Sequence, residues 1–255
     1  YPILIDQEGG KINRLNKFIE TSNLSAEFFG NLYQSNKSKF YNYYTVYIAQ
    51  ISYLLNLIGI NINTVPVLDV KRTISDNIVG SRSFSTVPKN VSNIGDFCIK
   101  NFNKEKIGTV IKHIPGHGLS RVDSHKETPI VKKNKKYLYK NDFITFKNKQ
   151  TFFAMTAHII YNYIDPINTA THSAKVIKLI RSKIGFKNII ISDDISMKSL
   201  KYSIKLNTLK ALSAGCNLVL HCNANYSEMR VVAENSPKVD NFIIKKTSQF
   251  YNFLS

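Results

Sequence analysis

The stretch "GFKNIIISDDISM", residues 185–197, holds the unit from which the chain is built. Gly185 ends a helical pattern, where a residue without a Cβ relieves the left-handed conformation of a helix stop. Ile189-Ile190-Ile191 follows as a short apolar, β-branched run, which reads as a strand. Ser192-Asp193-Asp194 then load the end of that run with polar, chemically active groups. The same unit recurs outward in both directions. Six strands are expected, at Pro2–Asp6, Ile60–Asp69, Thr109–His113, Thr151–His158, Asn188–Asp193 and Asn217–Cys222. Four follow a glycine that closes a helical pattern: Gly59, Gly108, Gly185 and Gly215. The helical stretches are roughly Lys37–Leu57, Val91–Lys104, Ser173–Lys183, Leu200–Ala214 and Glu228–Asn235.

Strands alternating with helices imply parallel pairing through crossover helices. The polar groups sit at strand C-terminal ends: Asp6-Gln7-Glu8, Asp69, Lys112-His113, His158, Ser192-Asp193-Asp194 and His221. A (β/α)8 barrel builds its site there, and so does an open doubly wound sheet. Closure of the barrel needs two more strands than the six found.

Bulk properties narrow the classes. With 255 residues and 43% hydrophobic content, the chain can bury a real core. Its +18 charge, from 35 Lys+Arg against 17 Asp+Glu, raises the question of nucleic acid or an anionic surface. The cations are mostly Lys, spread along the chain, and the run Lys132–Lys136 reads as a solvated loop without interleaved aromatics. A compositional bias accounts for the charge better than a nucleic-acid partner does. Three cysteines without paired spacing suggest a reducing compartment and no disulfide framework. No apolar run approaches membrane-spanning length, so no membrane partner is expected. The chain opens at Tyr1, inside an apolar run and without Met, which reads as a truncated start.

The loop "KHIPGHGLSRVDSHKETP", Lys112–Pro129, carries half of the six histidines: His113, His117 and His125. Asp123 and His125 stand two residues apart, a spacing that lets a carboxylate orient an imidazole and raise its proton affinity. An isolated pair of this kind is more often incidental, but Pro115, Gly116 and Gly118 also let the loop bend over a site as a lid. A zinc site from His113, His117, Asp123 and His125 is the rival reading. Pro115 and Gly116 break any helix that would align the first two ligands, and a structural His117 bonded to loop backbone is the simpler expectation. In the opening stretch, alternation puts Ile191 and Asp193 on one face, toward the barrel mouth, and Ser192 and Asp194 on the other. Asp194 fits an N-cap for the next helix.

Five motifs in order resemble the bacterial β-N-acetylglucosaminidases of glycoside hydrolase family 3: "DQEGGKINRL" (6–15), "GSRSF" (80–84), the 112–129 loop, "AMTAHIIY" (154–161) and "SDDISM" (192–197). The resemblance covers almost the whole chain and implies a (β/α)8 barrel lacking its first two strand–helix units. Residues 1–255 would then be a single, N-terminally truncated catalytic domain. It implies removal of terminal β-linked N-acetylglucosamine from muropeptides with retained configuration. Asp193 would be the nucleophile, His125 the acid/base and Asp123 its orienting partner. Asp6, Arg14, Arg82, Lys112 and His113 would hold the sugar, although Asp6 and Arg14 could instead form a structural ion pair. His158 could pack beneath the site or touch the substrate. No metal or organic cofactor, a cytoplasmic location and a monomer complete the expectation. An eroded remnant that binds sugar without cleaving it is the alternative.

Overall fold

The structure is a computed structural model that describes residues 1–72, 79–120, 122, 124 and 126–255. Six short apolar runs pair side by side, all parallel, in the order β1 (Leu4–Ile5), β2 (Ile62–Asn63), β3 (Gly108–Ile114), β5 (Phe153–Thr156), β7 (Ile189–Asp194) and β8 (Leu218–Leu220). A separate small parallel sheet joins β4 (Ile130–Val131) to β6 (Ile160–Tyr161). The connecting helices are α1 (Ala26–Ser35), α2 (Lys37–Leu57), α3 (Pro88–Lys104), α4 (Lys135–Asn141), α5 (Ala174–Leu179, continued by a π turn over Ile180–Ile184), α6 (Ile204–Ala214), α7 (Tyr226–Glu234) and α8 (Asn241–Leu254). Among the described residues the sheet curls without closing, and its half-buried edges are β1 and β8. This is a partial (β/α)8 barrel. No described helix is long and apolar enough to cross a membrane.

Strand alternation sorts the core into two layers. Val110, Phe153, Met155, Ile189 and Ile191 point inward and pack together. Their neighbours Ile111, Ala154 and Ile190 point outward against the helices. The outer layer is large and aromatic. α2 buries Phe40, Tyr44, Tyr47, Ile48, Ile51 and Leu55 at helical spacing. Gly30 lets α1 approach the chain at Phe84, because a Cβ there would fall 1.6 Å from the Phe84 carbonyl oxygen.

Several local expectations change in the folded chain. β2 keeps only two ladder residues, Ile62–Asn63, of the expected Ile60–Asp69: beyond them Val65 N–H turns back to the Asn63 carbonyl at 2.8 Å and Pro66 has no N–H to donate. The segment still runs beside β3 through Leu68 N–H to the Lys112 carbonyl at 2.8 Å, so Asp69 reaches the strand end. Gly108 is not a helix stop. Lys106 takes the left-handed conformation instead, at φ 59. Gly108 is required because a Cβ would meet the Phe250 ring at 2.6 Å. α6 starts at Ile204 rather than Leu200, since the Ser203 hydroxyl caps it by accepting from Leu206 N–H.

α1, α4 and α8 had no counterpart in the sequence reading. α8 matters most. Its Phe250 is fully buried against Phe152 and Phe153, with ring centroids at 5.3 and 5.2 Å, and plugs the N-terminal end of the inner layer. Phe250→Ala should therefore cost about 3–5 kcal/mol, read as a lower urea midpoint at unchanged slope. An unchanged midpoint would show that α8 does not seal the sheet.

Candidate functional site

At the C-terminal ends of the strands lies a cavity of about 350 Å³, whose wall mixes cations and carboxylates with apolar side chains such as Val67, Met155 and Leu220. Asp6, Glu8 and Arg14 come from the segment after β1, Asp69 from the segment after β2, and Lys112, His113 and His117 from the end of β3 and its loop. Arg82 follows Gly80 in a 3-10 turn, and Asp193 and Asp194 end β7.

Glu8 holds the cationic side of the wall together. Its carboxylate accepts from Arg82 Nε at 2.9 Å and Nη2 at 2.8 Å, and Lys112 Nζ lies 2.6 Å from its Oε1. The side chains of Glu8 and Lys112 are only 6% and 3% exposed. Burial alone would raise the Glu8 pKa, but the Lys112 and Arg82 cations outweigh it and hold the carboxyl far below its ordinary range. Burial would lower the pKa values of Lys112 and Arg82, but Glu8, joined by Asp6 at Lys112 and by Asp69 and Asp193 at Arg82, holds both above their ordinary values. Lys112 also donates to Asp6 Oδ1 at 2.9 Å and to Thr64 Oγ1 at 2.8 Å, and the Thr64 hydroxyl donates to the same Asp6 oxygen. Asp6 therefore pairs with Lys112 rather than with Arg14. The Arg14 side chain lines the cavity, while its backbone N–H is fixed by Gln7 Oε1 at 2.8 Å.

Asp69 organises the opposite wall. It is buried, and Oδ2 lies 2.7 Å from His113 Nδ1 while Oδ1 accepts from His117 N–H at 2.6 Å. Burial would raise its pKa, but His113 and these hydrogen bonds lower it overall, so it is an ionised acceptor. An acceptor-only carboxylate requires a proton on His113 Nδ1. His113 Nε2 is then turned toward the cavity, 4.0 Å from Asp193 Oδ2. His117 is buried, and its Nε2 stands 3.3 Å from the side-chain Oγ of Ser124 in the loop, while its Nδ1 has no hydrogen-bond partner among the described residues. Burial, then the neighbouring His113, pushes its pKa down to about 4, so the ring is neutral.

Asp193 shares the inward face of β7 with Ile191, as alternation predicts. Its Oδ1 accepts from Asp194 N–H at 2.8 Å. Burial opposes ionisation, but His158, His113 and that hydrogen bond favour it, and the net pKa is lowered. Asp194 does not cap α6. It accepts from Ser196 N–H at 3.0 Å, from the Ser196 hydroxyl and from Cys222 N–H at 3.2 Å, which closes the turn after β7. His158 is fully buried beneath this turn and is not part of the cavity wall. Asp123 and His125 lie outside the described residues, while Ser124 between them lines the cavity. Among the described residues, no three His, Cys, Asp or Glu side chains converge as a metal site would require.

The sequence reading placed Asp6, Arg14, Arg82, Lys112, His113 and Asp193 at the site, and all six line one cavity. It assigned no role to Glu8 or Asp69. The one local sign of either was its place at a strand end. The arrangement can fix a polar, hydroxyl-rich molecule between cations and carboxylates, with an ionised Asp193 facing it.

The model of the glycosyl hydrolase family 3 N-terminal domain matches residues 2–247. A β-hexosaminidase of Nitrosomonas eutropha is 32% identical over 232 residues, which cover 87% of this chain and 64% of that protein. One of Shewanella frigidimarina is 35% identical over 170 residues, covering 64% and 49%. The chain thus spans about half to two thirds of these relatives. NagZ from Neisseria gonorrhoeae, solved with N-trifluoroacetyl-D-glucosamine, superposes with a TM-score of 0.85 at 24% identity over 98% of this chain and 73% of that one. A family 3 β-N-acetylglucosaminidase from Paenibacillus sp. str. FPU-7 gives 0.82 at 24% identity, over 99% of this chain and 49% of that one. At that identity the likeness concerns the fold.

Removing Glu8 would leave the half-buried Arg82 without its bidentate partner and the buried Lys112 with Asp6 alone, so Glu8→Ala should cost about 3–5 kcal/mol. Because the Glu8 pKa is depressed, its stabilisation is complete above the ordinary carboxylate value and is lost as pH falls toward the depressed one. Melting temperatures of the wild type and Glu8→Gln should differ most near pH 7 and converge below about pH 4. A difference that stays constant with pH would contradict the ion-pair account.

Proposed function

Because the chain belongs to glycosyl hydrolase family 3, we propose that it is a retaining β-N-acetylglucosaminidase acting on peptidoglycan fragments. The observation that carries this reading is the ionised Asp193 on the cavity wall. Its Oδ1 is engaged by Asp194 N–H, and Oδ2 remains on the side of His113. In the proposed mechanism, Asp193 Oδ2 bonds to the anomeric carbon as the glycosidic C–O bond breaks. His125, oriented by Asp123, gives its proton to the leaving oxygen. Water then loses a proton to His125 and attacks the same carbon, which frees Asp193 and retains the configuration. The Asp194 amide stabilises the carboxylate as it departs.

Sugar binding falls to Asp6, Arg14, Arg82, Lys112 and His113. Both side-chain bonds of Asp6 use Oδ1, so Oδ2 can accept from a sugar hydroxyl. Arg82 and Lys112 are already fixed by Glu8, so little rotamer entropy is lost when they donate to a ligand. The same proposal treats residues 1–255 as a single catalytic domain working as a cytoplasmic monomer without a cofactor. The half-buried edge strands β1 and β8 favour a second reading, in which the chain binds the sugar without turning it over.

Release of nitrophenol from 4-nitrophenyl N-acetyl-β-D-glucosaminide separates these readings. Asp193→Ala should lower kcat roughly a thousand-fold or more, and His125→Ala about a hundred-fold. Full activity in Asp193→Ala would remove the proposed nucleophile. A wild-type chain that melts cooperatively and binds N-acetylglucosamine without turnover would support the second reading.

A further inference from the structure

His158 is a fully buried titratable group that the proposed mechanism leaves unused, and its hydrogen bonds have a direction. Nε2 lies 3.0 Å from the Asp194 carbonyl oxygen, and Nδ1 lies 2.7 Å from Thr171 Oγ1. A carbonyl only accepts, so Nε2 carries the proton. Complete burial lowers the proton affinity of the ring against the pull of Asp193 and Asp194, which leaves it neutral with a single proton. Nδ1 must then accept from the Thr171 hydroxyl, whose other acceptor, the Ala157 carbonyl, is farther away at 3.3 Å. Thr156 Oγ1, 2.8 Å from Thr171 Oγ1, supplies the next donor. The chain therefore runs Thr156, Thr171, His158, Asp194 carbonyl.

The Asp194 peptide is held on its other side by Ile195 N–H to the Leu220 carbonyl at 2.9 Å. Asp194 N–H in turn fixes Asp193 Oδ1. We propose that His158, in the Nε2–H form selected by Thr171, is a positioning residue that sets the Asp193 carboxylate through the backbone of Asp194. The inference rests on Asp193 being the nucleophile. His158 touches neither the cavity nor the reacting atoms, so its effect belongs to kcat rather than to sugar affinity.

The test uses the full chain and 4-nitrophenyl N-acetyl-β-D-glucosaminide, with Asp193→Ala in parallel. His158→Leu should lower kcat about a hundred-fold, the scale of a misplaced reacting group, with KM within about threefold. His158→Gln keeps an N–H for the Asp194 carbonyl and should recover most of the loss. Thr171→Val should fall between them, and Thr171→Ser should match the wild type. Nitrogen-15 spectra of the unsubstituted chain should show His158 with protonated Nε2 and bare Nδ1. A protonated Nδ1 overturns the proposal, as does a His158→Leu enzyme with wild-type kcat beside an inactive Asp193→Ala. So does a loss in His158→Gln equal to that in His158→Leu, which would mark a packing role alone. An active Asp193→Ala would instead overturn the underlying assignment of the nucleophile.

Discussion

The carboxylate of Glu8 is the point on which the site depends. It bridges Arg82, 74 residues away, and Lys112, near the C-terminal end of β3. Without it, the buried Lys112 would keep only Asp6 and the half-buried Arg82 would lose its bidentate partner, a loss of several kcal/mol. With it, β1, the 80–82 turn and β3 are tied at one level, and the cations stand ready with their side chains already ordered. Asp69 does the same on the other side for His113 and the start of its loop. Two buried carboxylates thus order the basic groups around Asp193, and neither of them is proposed to take part in the chemistry.

The apolar layers below give this charge cluster its rigidity. Inward residues of β3, β5 and β7 fill the interior, and Phe250 of α8 closes its far end. The same alternation that sends Ile191 inward sends Asp193 to the cavity one pleat higher. Chemistry and core packing are therefore consecutive positions on one strand face. A shift of one residue in register would exchange the inward and outward sets throughout β7.

Much of this was legible locally. Parallel strand–helix units follow from apolar runs, helix-stop glycines such as Gly185 and Gly215, and polar strand ends. These are properties of a few consecutive residues. α2 matched its expected bounds because its buried face recurs at helical spacing. Errors arose where distant residues decide. The role of Gly108 is set by Phe250, and β2 ends at Asn63, where Val65 N–H turns back to the Asn63 carbonyl, which the apolar pattern does not reveal. The α8 helix could be given a place only by the interior it covers.

By itself, the sequence determined the strand–helix repeat, the inward face of β7, and the strand-end places of Asp6, Lys112, His113 and Asp193, because periodicity is local; Arg14 and Arg82 were added by the resemblance of their motifs to the family. Only the tertiary structure decided their partners. Asp6 turns to Lys112 instead of Arg14, Asp69 takes His113, Asp194 closes a turn instead of capping α6, and His158 lies beneath the site. Except for the turn that Asp194 closes with Ser196, each pairing joins groups from different strand ends, tens of residues apart. Burial makes the satisfaction of every charge and hydrogen bond a property of the whole assembly.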